Sequence, residues 1–368
     1  MPRSQYLKRV KTIVVKVGSS LITNSDGISA ECVDKLVDDV VFLIKKKYKV
    51  VIVSSGAISA GSAVMKKKRM LCTIPEKQAL AAIGQSILMD VYRGCFNKRG
   101  YEVGQILLTE DDVKHRRRFL NARHTLNALL DMGVVPIVNE NDSVVIKEIK
   151  FGDNDTLSAH VANIVQADLL ILLSDIDGFY WDEHDEEPVS EIIEINDEVR
   201  KRCRGAGSEH GTGGMVTKIK AGEIVIKSGE MMIIANGKTE NILKRILQGE
   251  KIGTLFSGKT QLKSKKRWLA FNVKSKGKLT IDGGAVKALK ENKKSLLAIG
   301  ITNVEGSFDL GDAVEIVDTN GTVIGKGIVN YTSDELHKIK GKNTQEIKKI
   351  FGSKYYEEVI NRDDLIVF

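Results

Sequence analysis

Short apolar runs alternate with longer amphipathic stretches through the first two thirds of the chain. The runs are rich in β-branched residues and apolar on both faces, and the stretches between them have helical spacing. This alternation is typical of a parallel sheet covered by helices. It predicts an α/β domain with a mostly parallel open sheet sandwiched by helices. The predicted elements are strand 12–17, helix 31–47, strand 50–55, helix 76–96, strand 103–108, helix 117–132, strand 134–139, helix 156–166 and strand 168–173.

The pattern changes after Gly258. A basic connector containing Q-L-K-S-K-K-R-W comes first, and short runs such as G-D-A-V-E-I-V-D and N-G-T-V-I-G-K-G-I-V follow it. Short strands separated by Gly, Asp and Asn indicate β-hairpins. We therefore predict an α/β domain over 1–258, a basic linker over 259–275 and a small β-rich barrel domain over 276–368.

Composition narrows the class of protein. The chain has 368 residues, 42% hydrophobic and 28% charged, which is typical of globular domains rather than disordered or fibrous chains. No apolar run approaches the roughly 20 residues that a membrane-spanning helix needs. The basic N-terminal segment leads into the first strand without an apolar signal segment, so we expect a cytoplasmic protein. The net charge of +8 favours anionic ligands.

Cysteine and histidine spacing predicts no metal-ligand set. Cys32, Cys72, Cys95 and Cys203 are far apart and form no C-x-x-C pair, so neither a disulfide framework nor a zinc site is expected. The six histidines also lack zinc-ligand spacing. No G-x-S-x-G motif is present, which argues against hydrolase chemistry.

Small and polar residues follow the first two predicted strands. Ligands of open α/β sheets bind at the carboxyl ends of the strands. Lys16 precedes the small residues G-S-S, which let backbone N–H groups approach an anion, although a surface lysine before a flexible turn would have the same sequence. The second strand ends in S-S-G-A, which contains Ser55 and precedes a helical stretch. The alternative for Ser55 is a helix cap beside a closely packed glycine.

Carboxylates and amides follow the later strands. N-E-N-D ends at Asp142, and F-G-D-N-D ends with Asn154 and Asp155 at the start of a helix. Such groups can bind an ammonium group or order neighbouring lysines. One of them alone would be a turn former or a cap, but the whole set favours a binding role. Ser174 and Asp175 end the next strand, where the sugar or base of a nucleotide can lie.

A glycine-rich loop opens the last predicted helix of the α/β domain. The segment G-T-G-G-M-V-T-K ends at Lys218, and its order differs from that of a Walker A loop. Glycines at a helix N-terminus form an anion site, to which the lysine adds a full charge. Lys16 and Lys218 each border such a loop. They suggest phosphoryl transfer, which depends on positioning and charge neutralisation and uses Mg²⁺ with the nucleotide.

Six motifs in order resemble the amino acid kinase family: V-V-K-V-G-S-S, V-I-V-S-S-G-A-I-S-A-G, I-V-N-E-N-D, F-G-D-N-D, L-L-S-D-I-D-G and G-T-G-G-M-V-T-K. The tail resembles a PUA domain, so the resemblance covers nearly the whole chain. It implies transfer of the γ-phosphoryl group of ATP to the side-chain carboxylate of L-glutamate. The product would be L-glutamyl 5-phosphate, in the first step of proline synthesis. Family members that act on aspartate or N-acetylglutamate begin K-x-G-G, whereas two serines follow Gly18 here.

The resemblance also implies roles for individual residues. Lys16 and Lys218 would stabilise the transferring phosphoryl group, and Asp155 would order both lysines. Glutamate would be held by Ser55, Asp142 and Asn154, with Asp142 at its α-ammonium group. ATP would be held by Lys16, Ser174, Asp175, Thr212, Gly213, Gly214, Met215, Val216, Thr217 and Lys218.

The resemblance further implies a dimer or tetramer, inhibition by proline, and a glutamate-5-phosphate reductase that receives the labile product. Two alternatives stay open. One is a related kinase for a different carboxylate, carbamate or phosphate. The other is an RNA-binding protein that uses the PUA-like tail and the basic residues 263–267 beside Trp268 and Phe271. A solvated linker explains the basic residues more simply, so we do not expect RNA as a partner.

Overall fold

The chain forms two compact units, Met1–Gln261 and Leu262–Phe368. The sequence predicts that the α/β domain ends at residue 258 and that the β-rich domain begins at residue 276, which is near this division. Both boundaries stay predictions, because residues 259–274 lie outside the described residues. The computed structural model describes residues 3–24, 27–66, 73–144, 154–182, 184–205, 214–258, 275–292, 294–352 and 355–368.

A large sheet forms the centre of the first unit. Its described strands follow the order β5-β6-β4-β1-β7-β9-β10-β8, and all neighbours are parallel except β9 and β10. The predicted mostly parallel α/β fold is therefore confirmed. The short strands β2 and β3 form a separate hairpin. The strands are β1 Thr12–Val17, β2 Thr23–Asn24, β3 Gly27–Ile28, β4 Lys49–Ser54, β5 Val103–Leu108, β6 Val135–Glu140, β7 Leu169–Ser174, β8 Glu191–Ile192, β9 Met231–Asn236 and β10 Thr254–Ser257.

Helices cover both faces of this sheet. On β1, Ile13 and Val15 pack in one hydrophobic cluster with α3, α5 and α11, whereas Val14 packs in a second with α7, α8 and α10. Within the described part of the chain, no helix has both the length and the apolar character needed to cross a membrane. The helices are α1 Arg3–Leu7, α2 Ser19–Ile22, α3 Ala30–Lys45, α4 Ala57–Val64, α5 Ile74–Asn97, α6 Glu110–Lys114, α7 Arg116–Asp131, α8 Asn154–Val165, α9 Asp197–Gly205, α10 Met215–Ser228 and α11 Ile242–Leu247.

Helices α4 and α5 contact each other backbone to backbone through two glycines. A Cβ atom at Gly84 would lie 1.8 Å from the carbonyl oxygen of Ala57, and one at Gly61 would lie 2.0 Å from that of Leu80. Both distances are far below van der Waals contact, so any larger residue would push the helices apart. The contact fixes the position of α5 along and around its own axis relative to α4. Side chains of α5 form hydrogen bonds near the carboxyl ends of β4 and β6.

The second unit is β-rich and has its own hydrophobic cluster. Its described strands follow the order β12-β11-β13-β14-β15, with β11 and β13 parallel and the other neighbours antiparallel. The predicted hairpin is present as β13 and β14. The elements are β11 Gly277–Ile281, α12 Gly283–Lys290, β12 Ile301–Gly306, β13 Ala313–Val317, β14 Val323–Ile328, α13 Ser333–Ile339, α14 Thr344–Phe351 and β15 Leu365–Val367, with 3₁₀ turns at Ala298–Gly300 and Arg362–Asp364.

Candidate active site

Two buried lysines meet at one carboxylate beside the central strands. Asp155 lies in the first turn of α8. The Nζ atom of Lys16, from β1, lies 2.6 Å from its Oδ1, and the Nζ atom of Lys218, from α10, donates to its Oδ2 at 3.1 Å. The side chains of Lys16, Asp155 and Lys218 are 6%, 0% and 5% exposed. Strand β1 and helices α8 and α10, which are remote in sequence, therefore place three charged groups together at one buried position.

The charges of this cluster suit an anionic ligand. Burial raises the pKa of Asp155, but the Coulombic attraction of Lys16 and Lys218 and the hydrogen bonds from both lysines together outweigh burial and leave that pKa below its ordinary value. The carboxylate is therefore ionised at neutral pH. Two ammonium groups and one carboxylate carry a net charge of +1, and electrostatic attraction is stronger where water is excluded. A phosphoryl group is an anion of the appropriate sign.

The N-terminus of α10 adds hydrogen-bond donors to the cluster. Gly214 caps this helix. The hydroxyl group of Thr217 lies 2.9 Å from Oδ2 of Asp155 and 2.8 Å from the carbonyl oxygen of Gly214. The first N–H groups of a helix have no carbonyl partner within it, and its dipole favours negative charge there. Thr217 thus ties the N-terminus of α10 to the carboxylate that holds both lysines.

The other residues predicted to bind ATP fall into three groups. Met215 is half-buried and Val216 is exposed, both in the first turn of α10. Ser174 ends β7, the neighbour of β1, and its hydroxyl donates to Oδ1 of Asp175 at 3.0 Å. These positions lie at the carboxyl edge of the sheet, where nucleotides bind in open α/β folds. The remaining two, Thr212 and Gly213, lie outside the described residues.

Two of the three residues predicted to bind glutamate are in direct contact. The Nδ2 atom of Asn154 donates to Oγ of Ser55 at 2.6 Å, to the carbonyl oxygen of Ser54 at 3.0 Å and to Oδ1 of Asn139 at 3.1 Å. Asn154 immediately precedes Asp155 in α8, so the amide cluster and the lysine cluster share one helix turn. The Oδ1 atom of Asn154 is buried and accepts no hydrogen bond from the described residues.

The third residue, Asp142, lines a cavity of about 250 Å³. Ala57, Gln85 and Glu140 contribute to the same wall, and Ala57 lies two residues beyond Ser55. Small-molecule sites are concave and contain a few convergent polar groups. The cavity is therefore a candidate pocket for the acceptor.

Sequence reasoning placed Asn139 in the polar set that follows the strand but gave it no role of its own, and it assigned no role to Gln85. Asn139 is 1% exposed at the end of β6, and its Nδ2 atom donates to Oε1 of Gln85 on α5 at 2.8 Å. The signal available in the sequence was the position of Gln85 on the apolar face of the predicted helix 76–96, between Leu80 and Leu88. A glutamine there needs a buried partner, but the sequence alone does not say which one.

The described residues contain no group of three or more His, Cys, Asp or Glu side chains that could hold a metal ion. Mg²⁺ is commonly bound by substrate phosphates with only one or two carboxylates. Asp175, at the carboxyl end of β7, is an oxygen donor of the kind Mg²⁺ prefers. The residues present therefore fit a magnesium ion that arrives with its nucleotide.

Comparisons with known proteins agree with this fold. The sequence profile described as "Amino acid kinase family" matches residues 11–236, and the profile of the PUA domain matches residues 277–351. A parallel sheet with convergent lysines, together with the first match, defines an enzyme of the kinase class. The second match places a PUA domain in the β-rich unit.

Curated relatives are more specific. Glutamate 5-kinase from Thermoanaerobacter sp. (strain X514) is 49% identical over 361 residues, covering 96% of this chain and 97% of that protein. Glutamate 5-kinase from Caldanaerobacter subterraneus subsp. tengcongensis is 48% identical, with the same coverage. Among solved structures, UMP kinase from Bacillus anthracis aligns with a TM-score of 0.48 at 15% identity, covering 67% of this chain and 96% of that one. This chain belongs to the glutamate 5-kinases of the amino acid kinase family.

Proposed function

We propose that the chain transfers the γ-phosphoryl group of ATP to the side-chain carboxylate of L-glutamate, the first step of proline synthesis. The relatives named glutamate 5-kinase support this substrate. The observation that carries the proposal is the convergence of Lys16 and Lys218 on Asp155, one residue from the amide of Asn154. That arrangement offers a site for phosphoryl transfer beside a site for a polar acceptor.

The two lysines reduce the electrostatic repulsion between the acceptor carboxylate and the phosphoryl group. The glutamate side chain is already ionised at neutral pH and needs no general base to become a nucleophile. It must, however, approach a phosphoryl group of the same sign. Two unit charges 4 Å apart repel by about 4 kcal/mol at an effective dielectric constant of 20. The ammonium groups of Lys16 and Lys218 offset this repulsion, and Asp155 holds them in place without neutralising both.

The acceptor lies on the other side of Asp155. Ser55 and Asn154 hold the glutamate through their hydroxyl and amide groups. Asp142, on the cavity wall, binds the α-ammonium group through charge-assisted hydrogen bonds. The side-chain carboxylate then extends towards Lys16.

ATP lies along the carboxyl edge of the sheet. The loop from Thr212 to Lys218 and the N-terminus of α10 hold its phosphates, and Ser174 and Asp175 hold the nucleoside. A magnesium ion bound with ATP would supply further positive charge at the phosphates. Asp175, directly after β7, would offer the ion a carboxylate oxygen.

Several parts of the prediction concern the assembled enzyme in the cell. The dimer or tetramer, proline inhibition, the docking of a glutamate-5-phosphate reductase and the cytoplasmic location stay predictions from the resemblance. A kinase for a different carboxylate and an RNA-binding protein are not favoured, because relatives that match nearly the whole length are named glutamate 5-kinase.

A hydroxamate trap tests the reaction. The protein is incubated with ATP, Mg²⁺ and hydroxylamine, with glutamate, aspartate or N-acetylglutamate as acceptor, and the trapped acyl group is measured. Glutamate is expected to give the hydroxamate and release ADP in equal amounts. Turnover of aspartate without turnover of glutamate would overturn the proposed substrate.

A further inference from the structure

A continuous chain of hydrogen-bonded amides links α5 to the candidate acceptor site. Oε1 of Gln85 accepts a hydrogen bond from Nδ2 of Asn139 at 2.8 Å. Oδ1 of Asn139 in turn accepts one from Nδ2 of Asn154 at 3.1 Å. Nδ2 of Asn154 also donates to Oγ of Ser55 at 2.6 Å. Gln85 therefore lies two hydrogen bonds away from a residue proposed to hold glutamate.

Two backbone groups fix the direction of this chain. The backbone N–H of Glu140 donates to Oδ1 of Asn139 at 2.9 Å, and a backbone N–H has no acceptor role, so the atom facing it must be the oxygen. The carbonyl oxygen of Ser54 likewise requires Nδ2 of Asn154 to face it. With Asn139 set in this way, its Nδ2 faces Gln85, and only Oε1 of Gln85 can accept from it.

The consequence is a fixed acceptor at the site. Because Nδ2 of Asn154 is committed to the chain, its Oδ1 is presented on the other side, buried and without a donor among the described residues. A buried acceptor without a donor is unfavourable, and a ligand that supplies the donor removes this cost. The α-ammonium group of an amino acid is such a donor.

The side chain of Gln85 is held rigidly enough to maintain this direction. It is 9% exposed, and it directly follows Gly84, where α5 contacts α4 backbone to backbone. The contact sets how closely α5 approaches α4 at this point. Gln85 also lines the cavity that Asp142 lines, so the residue borders the candidate acceptor pocket.

We infer that Gln85 is a positioning residue for the amino acid acceptor: together with the backbone N–H of Glu140 it holds the amide of Asn139 in one orientation, and through Asn139 it helps to hold Asn154 with Oδ1 towards the ligand. The inference rests on the proposed glutamate kinase function. An amide that turns over exchanges its oxygen and nitrogen without moving the backbone. Loss of Gln85 therefore weakens amino acid binding and leaves the lysine cluster intact.

The first test is Gln85→Met, which keeps the length of the side chain and removes its acceptor. We expect the KM for glutamate to rise about ten-fold, the effect of one lost buried hydrogen bond. The kcat and the KM for ATP are expected to stay within about two-fold of wild type. An unchanged KM for glutamate, or an equal rise in the KM for ATP, would overturn the inference.

Tyr92→Phe is the matched control. Tyr92 lies on the same helix, and its hydroxyl forms a buried hydrogen bond with Oγ of Ser54 at 3.0 Å, outside the amide chain. The control removes a comparable bond between α5 and a strand end. We expect it to lower the melting temperature without raising the KM for glutamate. If both variants raise this KM equally, general loosening of α5 is the cause and the inference is wrong.

A double variant tests whether Gln85 acts through Asn139. In an Asn139→Leu background the amide link is absent, so adding Gln85→Met is expected to change the affinity for glutamate by less than about two-fold. A further ten-fold loss would show that Gln85 acts by another route. The double variant removes both side-chain amides of this link, so neither of them is left without its partner. The backbone N–H of Glu140 loses its acceptor equally in the Asn139→Leu single variant and in the double variant, so this comparison holds even if Gln85→Met alone folds poorly. Calorimetry with glutamate replaces kinetics where turnover is slow.

The outcomes separate the inference from the function on which it rests. A wild-type enzyme that phosphorylates glutamate, with Gln85→Met at wild-type KM, overturns only the positioning role. A wild-type enzyme that does not phosphorylate glutamate overturns the proposed function, and the inference falls with it.

Discussion

The Nζ atom of Lys16 lies 2.6 Å from Oδ1 of Asp155, in a position closed to water. The carboxylate shares its other oxygen with Lys218, so neither lysine is neutralised completely. A structural ion pair has no need of the second lysine, whereas phosphoryl transfer uses surplus positive charge. The pairing of Lys16 with Asp155 is therefore best understood as preparation for an anionic substrate.

Removal of either lysine is expected to affect turnover much more than folding. Lys16→Met or Lys218→Met keeps the apolar stem and deletes the charge that stabilises the transferring group. By analogy with other electrostatic stabilisers, kcat should fall by about 10² to 10³-fold. Lys220→Met is the matched control, because Lys220 is exposed two residues further along α10. Parallel loss of activity and melting temperature in the buried variants would contradict a catalytic role.

Asp155→Asn is expected to destabilise the enzyme as well as inactivate it. The variant removes the negative charge to which two buried ammonium groups bond, and breaking a buried ion pair costs about 3 to 5 kcal/mol. Denaturant unfolding measures this loss. Asp131→Asn is the control, since it breaks one exposed pair with Lys49 and should cost less than about 1 kcal/mol. Equal losses would show that burial of the cluster has no energetic consequence.

The difference in unfolding free energy between wild type and Asp155→Asn depends on pH, because the pKa of Asp155 is depressed. A carboxyl group with a folded pKa below its ordinary value of 3.8 stabilises the fold above that value and loses the contribution as pH falls through the folded pKa. The gap in unfolding free energy between wild type and Asp155→Asn should therefore stay constant between about pH 7 and pH 5. A gap that already closes in this range would mean that burial outweighs the two lysines.

The sequence pattern identified the central elements because parallel strands buried on both faces are continuous apolar runs. The predicted strand 103–108 coincides with β5, and the predicted 168–173 differs by one residue from β7. The pattern did not reveal the antiparallel pairing of β10 with β9, since pairing direction depends on how a connection crosses the sheet. The short helix α9 was also not predicted.

The site was predicted in outline only. Lys16, Asp155 and Lys218 lie in or beside motifs that stand out in the sequence, and the family resemblance predicts that the three act in one site. Gln85 was missed because its partner, Asn139, lies on another element, and no local spacing encodes that contact. The hydrogen-bond partner of a buried polar side chain is determined by tertiary packing, which cannot be read from a single sequence.

Asn154→Ala is expected to act on the acceptor rather than on ATP. The change removes the amide that bonds to Ser55 and presents Oδ1 to the ligand, so the KM for glutamate should rise by roughly 10 to 100-fold. Asn163→Ala is the matched control, because Asn163 lies on the same helix and donates to Oγ of Ser228 at 2.8 Å. Steady-state kinetics with each substrate varied in turn measure the effect. A rise of the KM for ATP alone would place Asn154 on the nucleotide side.

The contact between α4 and α5 gives a prediction about both stability and binding. Gly84→Ala places a Cβ atom 1.8 Å from the carbonyl oxygen of Ala57, and the helices must separate to relieve the overlap. We expect a loss of about 1 to 3 kcal/mol or more in unfolding free energy. Gly94→Ala, on the same helix with no atom within 4 Å of the added Cβ, should instead gain about 0.5 to 1 kcal/mol. Because the separation would carry Gln85 away from Asn139, the KM for glutamate should rise only in the Gly84 variant. A destabilised Gly84→Ala enzyme with a wild-type KM would show that the amide chain does not depend on this helix contact.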